Sequence, residues 1–482
     1  MPNNMAQQNT TTHRKRSCAL SCSAGPDRRL QILCRSGEAG LILAVLGLMF
    51  FVGCTEQTDQ LAEETDGQPK ASRPVTIIAS GDTHGWIIPC GCTSNQSGGL
   101  LRRGTYVESK RQDAVVIPVD VGGAADGTAP YQLERFRAIL RGEAAMGVVV
   151  HNVGASEAIF GEALPEIADD IDVRFISTNV LDSHGKKLAE RFHLYRSDET
   201  DEVILFVGVL STQYATKDIK VSDPGDAVLA VLDELRSTDQ KYDRLIVLAY
   251  LPIDELRDLG ESLPEADVII GGPTGQALSP EKIGRTTVLS ATNKGKFLAE
   301  VTFSAQNAEP VAKVVEMLTK FADEPLQKEN LEAFRSLLEQ IDFTARDSGL
   351  VDTTIVQLAD QHKVAGTKLC AECHDETNDH WDKTGHAHAW QRLLDEGAHV
   401  DPYCQHCHTT GYGIEGGFVS AKRSLQRTNV GCESCHGPSA EHVANNSVRT
   451  PFDAAGICLK CHDPENSPHF EYDSYWEKIR HE

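Results

Sequence analysis

Four copies of one pattern concentrate the chemistry available to this sequence. They are Cys370, Cys373 and His374; Cys404, Cys407 and His408; Cys432, Cys435 and His436; and Cys458, Cys461 and His462. Each reads C-x-x-C-H, the attachment pattern for c-type haem. The two thiols add across the haem vinyl groups, and the adjacent histidine is placed to ligate iron from the proximal side. One C-x-x-C alone also suits zinc or thiol–disulfide exchange. The four copies begin 34, 28 and 26 residues apart, and every one ends in histidine. A zinc ribbon needs no histidine at that place, so the expected cofactor is four covalently bound haem c groups.

The opposite face of each iron is harder to assign. From His374 onward the chain holds twelve histidines, and setting aside the proximal four leaves His380, His386, His388, His399, His406, His442, His469 and His481. Two axial histidines make a closed, low-potential electron-transfer haem, whereas an open position allows substrate chemistry. Four porphyrins in so short a segment must supply much of its core. The segment is therefore expected to be mainly α, with little strand.

Residues 366–482 resemble the cytochrome c-554 type tetrahaem domain. The resemblance is carried by Gly366 before the first motif and by Trp381 with His386, Ala387, His388 and Ala389. It continues through Thr409 to Tyr412 after the second motif, with Gly416, Gly417 and Phe418. Val430 to Pro438 around the third motif, His442, and Trp476 to His481 complete it. The resemblance implies His386, His442 and His481 as distal ligands. That is three for four haems, and in the namesake family one haem is five-coordinate. His388, His406 or His362 could instead close the fourth.

Upstream, the pattern changes. Between 74 and 305, β-branched runs (VTIIAS, AVVIPVD, GVVVHNV, RFISTNV, EVILFVGVL, DRLIVLAYL, ADVIIGG, TTVLSAT, FLAEVTFS) alternate with helical patterns such as Tyr131–Ala145 and Ala227–Arg236. This is an α/β signature with partly parallel, buried strands. Several motifs sit just after strands, where open α/β sheets place their ligands. From 307 to 345, Val314, Val315, Met317, Leu318 and Phe321, then Leu331, Phe334, Leu337, Leu338 and Ile341, show a helical period. They predict a helical connector over 306–365.

The α/β segment resembles the metallophosphoesterase domain of secreted 5'-nucleotidases and UDP-sugar hydrolases. The matching residues are Gly81, Asp82, His84 and Gly85 after the first strand, Gly98 to Arg103, and Asp120 at the end of VIPVD. The resemblance makes Asp82, His84 and Asp120 candidate ligands for Zn or Mn in a two-metal site that activates water against a phosphoryl group. The rest of that site is lost. The family's Gly-Asn-His-Glu reads Gly154, Ala155, Ser156 and Glu157; its Ser-His reads Ala249 and Tyr250; its Gly-Gly-His-x-His reads Gly271, Gly272, Pro273, Thr274 and Gly275. A two-metal centre does not keep its coordination with half its ligands gone. Asp82, His84 and Asp120 are then scaffold, and His151 and Asn152 read as ordinary strand residues. Cys90 and Cys92 lie in the loop after Asp82 and His84. One intervening residue makes a mutual disulfide strained, so the readings are a labile redox couple, a thiolate metal site or a structural bridge, with a redox or metal role favoured.

The N-terminus points to export. Gly40–Gly53 is a continuous apolar run of 14 residues, too short to span a membrane and suited to a signal peptide. Phe51, Val52, Gly53 and Cys54 resemble a bacterial lipobox, with Cys54 lipidated; an ordinary secretory signal is the alternative. The net charge of −24 sets nucleic acid aside and suits docking of redox partners with basic surfaces. The expected order is a lipoprotein-type signal peptide (1–53), a flexible tether (54–73), an α/β metallophosphoesterase-like sandwich (74–305), the connector (306–365) and a mainly α tetrahaem cytochrome domain (366–482). The expected function is periplasmic electron transfer by an exported, membrane-anchored multihaem cytochrome whose nucleotidase-like part has lost activity. The alternatives are a haem-based oxidoreductase acting on a small nitrogen or sulfur compound, and a metal-dependent nucleotide phosphohydrolase.

Overall fold

Two six-stranded sheets face each other in the first half of the chain, and the sequence explains why they pack. A computed structural model describes residues 73–89, 96–197, 199–304, 309–351, 363–450 and 452–481. Cys54, Cys90, Cys92 and His362 lie outside these residues, as do the signal peptide and nearly all of the tether. The strands are β1 (Val75–Ser80), β2 (Val115–Asp120), β3 (Val150–Asn152), β4 (Phe175–Ile176), β5 (Val180–Asp182), β6 (Phe192–Arg196) and β7 (Val203–Leu210). They continue with β8 (Ile219–Val221), β9 (Arg244–Tyr250), β10 (Val268–Gly272), β11 (Glu281–Ile283), β12 (Thr286–Ser290), β13 (Phe297–Phe303) and β14 (Val311–Glu316). One sheet runs β14-β13-β1-β2-β3-β4 and the other β11-β12-β10-β9-β7-β6, while β5 and β8 form a small ribbon.

Alternation along each strand sorts the side chains into layers. Ile77, Ile117, Val119, Phe206, Ile246, Leu248, Ile270 and Phe303 meet between the sheets. The outer face of the first sheet is covered by α1 (Leu100–Lys110), α2 (Pro130–Met146), α3 (Ala155–Ala158) and α4 (Leu164–Ile171), through Leu100, Phe136, Ile139, Leu140 and Leu164. The outer face of the second is covered by α5 (Pro224–Ser237) and α6 (Ile253–Ser262), through Val228, Leu232, Leu256 and Leu259. The β1–β2, β2–β3, β7–β9 and β9–β10 pairings are parallel, and β13 closes on β1 antiparallel. The expected α/β sandwich followed by a mainly helical segment is the architecture observed.

The connector departs from its expected helical form. Val311–Glu316 is an edge strand that pairs antiparallel with β13, Leu298 opposite Val315 and Ala299 opposite Val314. Val314 and Val315 gave a helical-looking period, but β-branched residues beside an unpaired strand edge fit a pleat better than a helix. The helix begins later, as α7 (Pro325–Ile341), and packs on α2 through Phe334 and Leu338. The described residues after 363 form short helices joined by loops. They gather one small apolar cluster of their own, Trp390, Leu393, Ala398 and Phe418. All described residues belong to one compact unit, Gly67–Glu482. No helix among them is long and apolar enough to cross a membrane.

Candidate functional site

Each C-x-x-C-H motif coils into a helical turn. His374 N–H donates to Cys370 O at 3.0 Å, His436 N–H to Cys432 O at 2.9 Å and His462 N–H to Cys458 O at 2.9 Å, while Cys404, Cys407 and His408 lie in helix 402–408. Cysteines three apart on a helical turn share a face, which is the arrangement two neighbouring vinyl groups require. The eight motif thiols form no disulfide. Thiols of different motifs meet: Cys370 bonds Cys432, and Cys407 bonds Cys461. That contact pushes the Cys432 thiol down to about 7, and burial pushes Cys435 up to about 11. A cavity of about 1050 Å³ opens against motifs two, three and four, walled by His386, Cys404, His408, Cys435, Cys458 and His462 among others.

The histidines form pairs. Ring centroids of His374 and His442 are 6.3 Å apart, those of His386 and His462 6.0 Å, and those of His436 and His481 5.8 Å. These separations lie within the range of ordinary ring contacts, and they also match a shared metal. Two imidazoles that bind one metal from opposite sides at roughly 2.0 Å, each with its centroid about 1.1 Å behind the nitrogen, stand about 6.2 Å apart. Each pair joins the histidine of motif one, four or three to a distal candidate, His442, His386 or His481. Among the described residues, the site therefore fits an iron porphyrin on an observation independent of the motif.

Hydrogen bonds fix which nitrogen is available. His442 Nδ1–H donates to Val448 O at 2.8 Å, His408 Nδ1–H to Ala389 O at 2.7 Å and His481 Nδ1–H to Ile479 O at 3.1 Å, while His462 Nδ1 bonds Ser467 Oγ at 3.0 Å. A metal-ligating histidine characteristically uses its other nitrogen in this way. Burial pushes the imidazoles of His386, His408, His436 and His462 below the ordinary histidine range, toward the neutral form that binds metal. His386 Nδ1 is buried without a hydrogen-bond partner, and its ring lies 5.3 Å from that of Trp381. His388, the fourth distal candidate, is exposed and uses Nε2 on Asp382 O at 2.9 Å, opposite to this pattern. His406 bonds Tyr403 O through Nδ1, and its Nε2 lies 3.1 Å from Cys407 Sγ.

The residues of the α/β segment do not fit a two-metal centre. Asp82 and His84 both take left-handed backbone angles, φ 51° and 48°, held by Asp82 N–H to Gly122 O at 2.7 Å and His84 N–H to Gly123 O at 2.8 Å. His84 is exposed, however, and Asp120 is turned away into the core. Asp120 accepts Ser80 Oγ–H at 2.5 Å and Gly122 N–H at 2.8 Å. Ligand atoms of Asp82, His84 and Asp120 do not gather within 4.8 Å of one another; those of Asp120, Glu143 and His151 do. Tyr250 occupies the space between. A Cβ on Gly123 would stand 2.6 Å from its ring and one on Gly154 3.0 Å, and its hydroxyl bonds Asp82. Tyr250 thus fills with an aromatic ring the place where a histidine ligand was expected.

Behind this ring lies a buried ionic network that sequence reading missed. Arg103 of α1 stands 3.8 Å from both Asp120 and Glu143, and His151 Nδ1 bonds Glu143 at 2.8 Å. Glu157 accepts backbone N–H groups from Gly123 at 2.9 Å, Ala124 at 2.6 Å and Gly154 at 3.0 Å, and lies 3.6 Å from His151 Nε2. Burial works against the His151 imidazolium, yet Glu143 and Asp120 hold its pKa well above the usual range. Burial pushes Asp120 up to about 7, with Glu143 adding to it. The counter-ions here are side chains. No local sequence signal marks His151; its register directly opposite Asp120 on the neighbouring strand is set by the fold.

Known proteins resemble the two halves of the chain separately. Residues 369–437 match the family model described as cytochrome c554 and c-prime. Cytochrome c-554 of Nitrosomonas europaea is 32% identical over 111 residues, 19% of this chain and 47% of that protein. The chain thus spans about half the length of the curated relative it matches. The matched segment is similar to the cytochrome c-554 family, whose members carry covalently bound haem c. Among solved structures, a 5'-nucleotidase precursor from Thermus thermophilus aligns over 56% of this chain and 60% of its own, at 19% identity and a TM-score of 0.48. The calcineurin-like phosphoesterase YfkN from Bacillus subtilis aligns over 55% of this chain and 97% of its own, at 14% identity and a TM-score of 0.49.

Proposed function

We propose that this chain is an exported electron carrier with four haem c groups in its C-terminal segment and an α/β segment that no longer hydrolyses phosphoesters. The observation that carries the reading is the set of three histidine pairs at metal-spanning separations, each pair containing one motif histidine. When bound, haem supplies reversible one-electron chemistry at iron. The chain's own residues do the rest. Cys370, Cys373, Cys404, Cys407, Cys432, Cys435, Cys458 and Cys461 would anchor the haems; His374, His408, His436 and His462 would bind iron from the motif side, and His442, His481 and His386 would bind from the other. Carbonyl and hydroxyl acceptors hold the rings of His408, His442, His462 and His481 in one orientation. Two histidines on three of the four irons favour carrying electrons over binding a substrate.

Export through the N-terminal signal, anchoring at Cys54 and a periplasmic address belong to the same proposal, supported by the apolar run 40–53 and by the need to attach haem outside the cytoplasm. The acidic surface suits partners with basic docking faces. Loss of hydrolysis is supported by Tyr250 in the old metal place and by side-chain counter-ions around Asp120. The test is a reduced-minus-oxidised spectrum of periplasmically matured protein, together with phosphatase assays in Mn and Zn. We expect sharp low-spin c-type bands and no turnover. Turnover abolished by Asp120→Ala, without such bands, would overturn the proposal.

A further inference from the structure

The second attachment motif is gripped by the α/β segment. We infer that this grip is a cradle which positions and electrostatically tunes the haem carried by Cys404 and Cys407, an inference that rests on the haem reading above. Helix 402–408 begins at Asp401, whose Oδ1 accepts Tyr403 N–H at 2.9 Å and also the Tyr131 hydroxyl at 2.5 Å. Tyr131 is fully buried in α2, so the N-terminal cap of this motif is completed by a residue of the other half of the chain. One helical turn on, the Arg135 guanidinium stands 4.6 Å from the centroid of Tyr403, the residue before Cys404. Trp86, two residues after His84, meets the Tyr403 ring edge-on at 5.2 Å. Asn466 donates to the Tyr403 hydroxyl at 3.1 Å, and Lys294 pairs with Glu465 at 2.9 Å while lying 5.2 Å from Trp86.

Tyr403 is therefore enclosed by α2, by the loop after β1 and by the turn after motif four. The loops involved stand at the carboxyl ends of β1 and β2, where an α/β sheet of this kind would receive a ligand. Here they receive a piece of the same chain. The charges facing Tyr403 are Arg135, its partner Asp126 at 2.9 Å, and Asp401, with His84, Lys294 and Glu465 around them. Arg135 is the buried cation of the set, 5% exposed, and a fixed cation in low dielectric favours the reduced, less positive form of a nearby redox centre. The cradle gives the α/β segment a present role that needs no metal: it sets one potential among four.

The test is a spectroelectrochemical titration of the full haem-loaded chain and of three variants. Arg135→Gln removes the cation, Tyr131→Phe removes the bond to Asp401 while keeping the ring, and Tyr106→Phe removes a comparable buried bond, to Glu300, elsewhere in the α/β segment. The expected result is an unchanged haem count in all of them. Arg135→Gln should shift one component of the titration to lower potential, Tyr131→Phe should move the same component, and Tyr106→Phe should move none. Wild-type components that stay in place in both cradle variants, at full haem content, would overturn the inference. Loss of all covalent haem from the wild type would instead sink the functional reading on which it rests.

Discussion

His442 donates one ring N–H to Val448 O and faces His374 at an iron-spanning distance, whereas His388 spends the other nitrogen on Asp382 O and is exposed. That difference makes a sharp prediction. His442→Ala should convert about a quarter of the total haem from low to high spin at constant haem content, and His388→Ala should leave the absorption and EPR spectra alone. A His442→Ala protein that stays fully low-spin would show that the pair does not share an iron. In the other half, Arg103 is 2% exposed between Asp120 and Glu143. Removing one partner of a buried ion pair strands the others, so Arg103→Met should cost about 3–5 kcal/mol in urea unfolding of the α/β segment. His151 adds a pH dependence. Its folded pKa is raised, so its contribution is present below the unfolded value of about 6.5 and is lost as pH rises through the folded one. Asp120, pushed up to about 7, acts with the same sign. Melting temperature should fall as pH rises above neutrality, and His151→Asn should flatten that slope; an unchanged slope would place the titration elsewhere.

The secondary elements were unequally legible. The strands of the sandwich were readable because buried strands are written as continuous β-branched runs; Val203–Leu210 and Arg244–Tyr250 are clear cases. β14 was not, because an edge strand with half-buried residues carries a blurred period and its pairing with β13 is a tertiary fact. The attachment motifs were visible as spacing alone, and the three distal candidates through the family resemblance. The ionic network was not, because Arg103, Asp120, Glu143 and His151 come from four elements, and nothing local marks Glu143. The cradle was invisible for the same reason, Tyr131 and Asp401 being 270 residues apart. The elements also differ in what holds them. The short helices after 363 share one small apolar cluster, so their packing should depend on the cofactor. In protein made without haem attachment, amide exchange should be fast throughout 363–481 and slow in β1, β2, β7 and β9. Equal protection in both segments would refute the idea that porphyrins form that core.

At the scale of the whole molecule, a chain of net charge −24 carries its expected redox sites at one end. Electron exchange with a basic partner should therefore be steered by long-range attraction, and stopped-flow rates should fall steeply as ionic strength rises past about 0.1 M, where the screening length nears 10 Å. Rates indifferent to salt would point to an apolar docking face. On the proposed reading the sandwich serves as support: Tyr250 stands where the family resemblance expects a histidine ligand, and Tyr131, Arg135 and Trp86 hold the second motif. Everything rests on the cofactor being present and covalent. The most direct measurement is the denatured mass of the mature protein purified from the periplasm. The account predicts the mass of the processed chain plus four haems, with every motif cysteine consumed. A mass equal to the bare chain, with eight titratable thiols between 370 and 461, would contradict it.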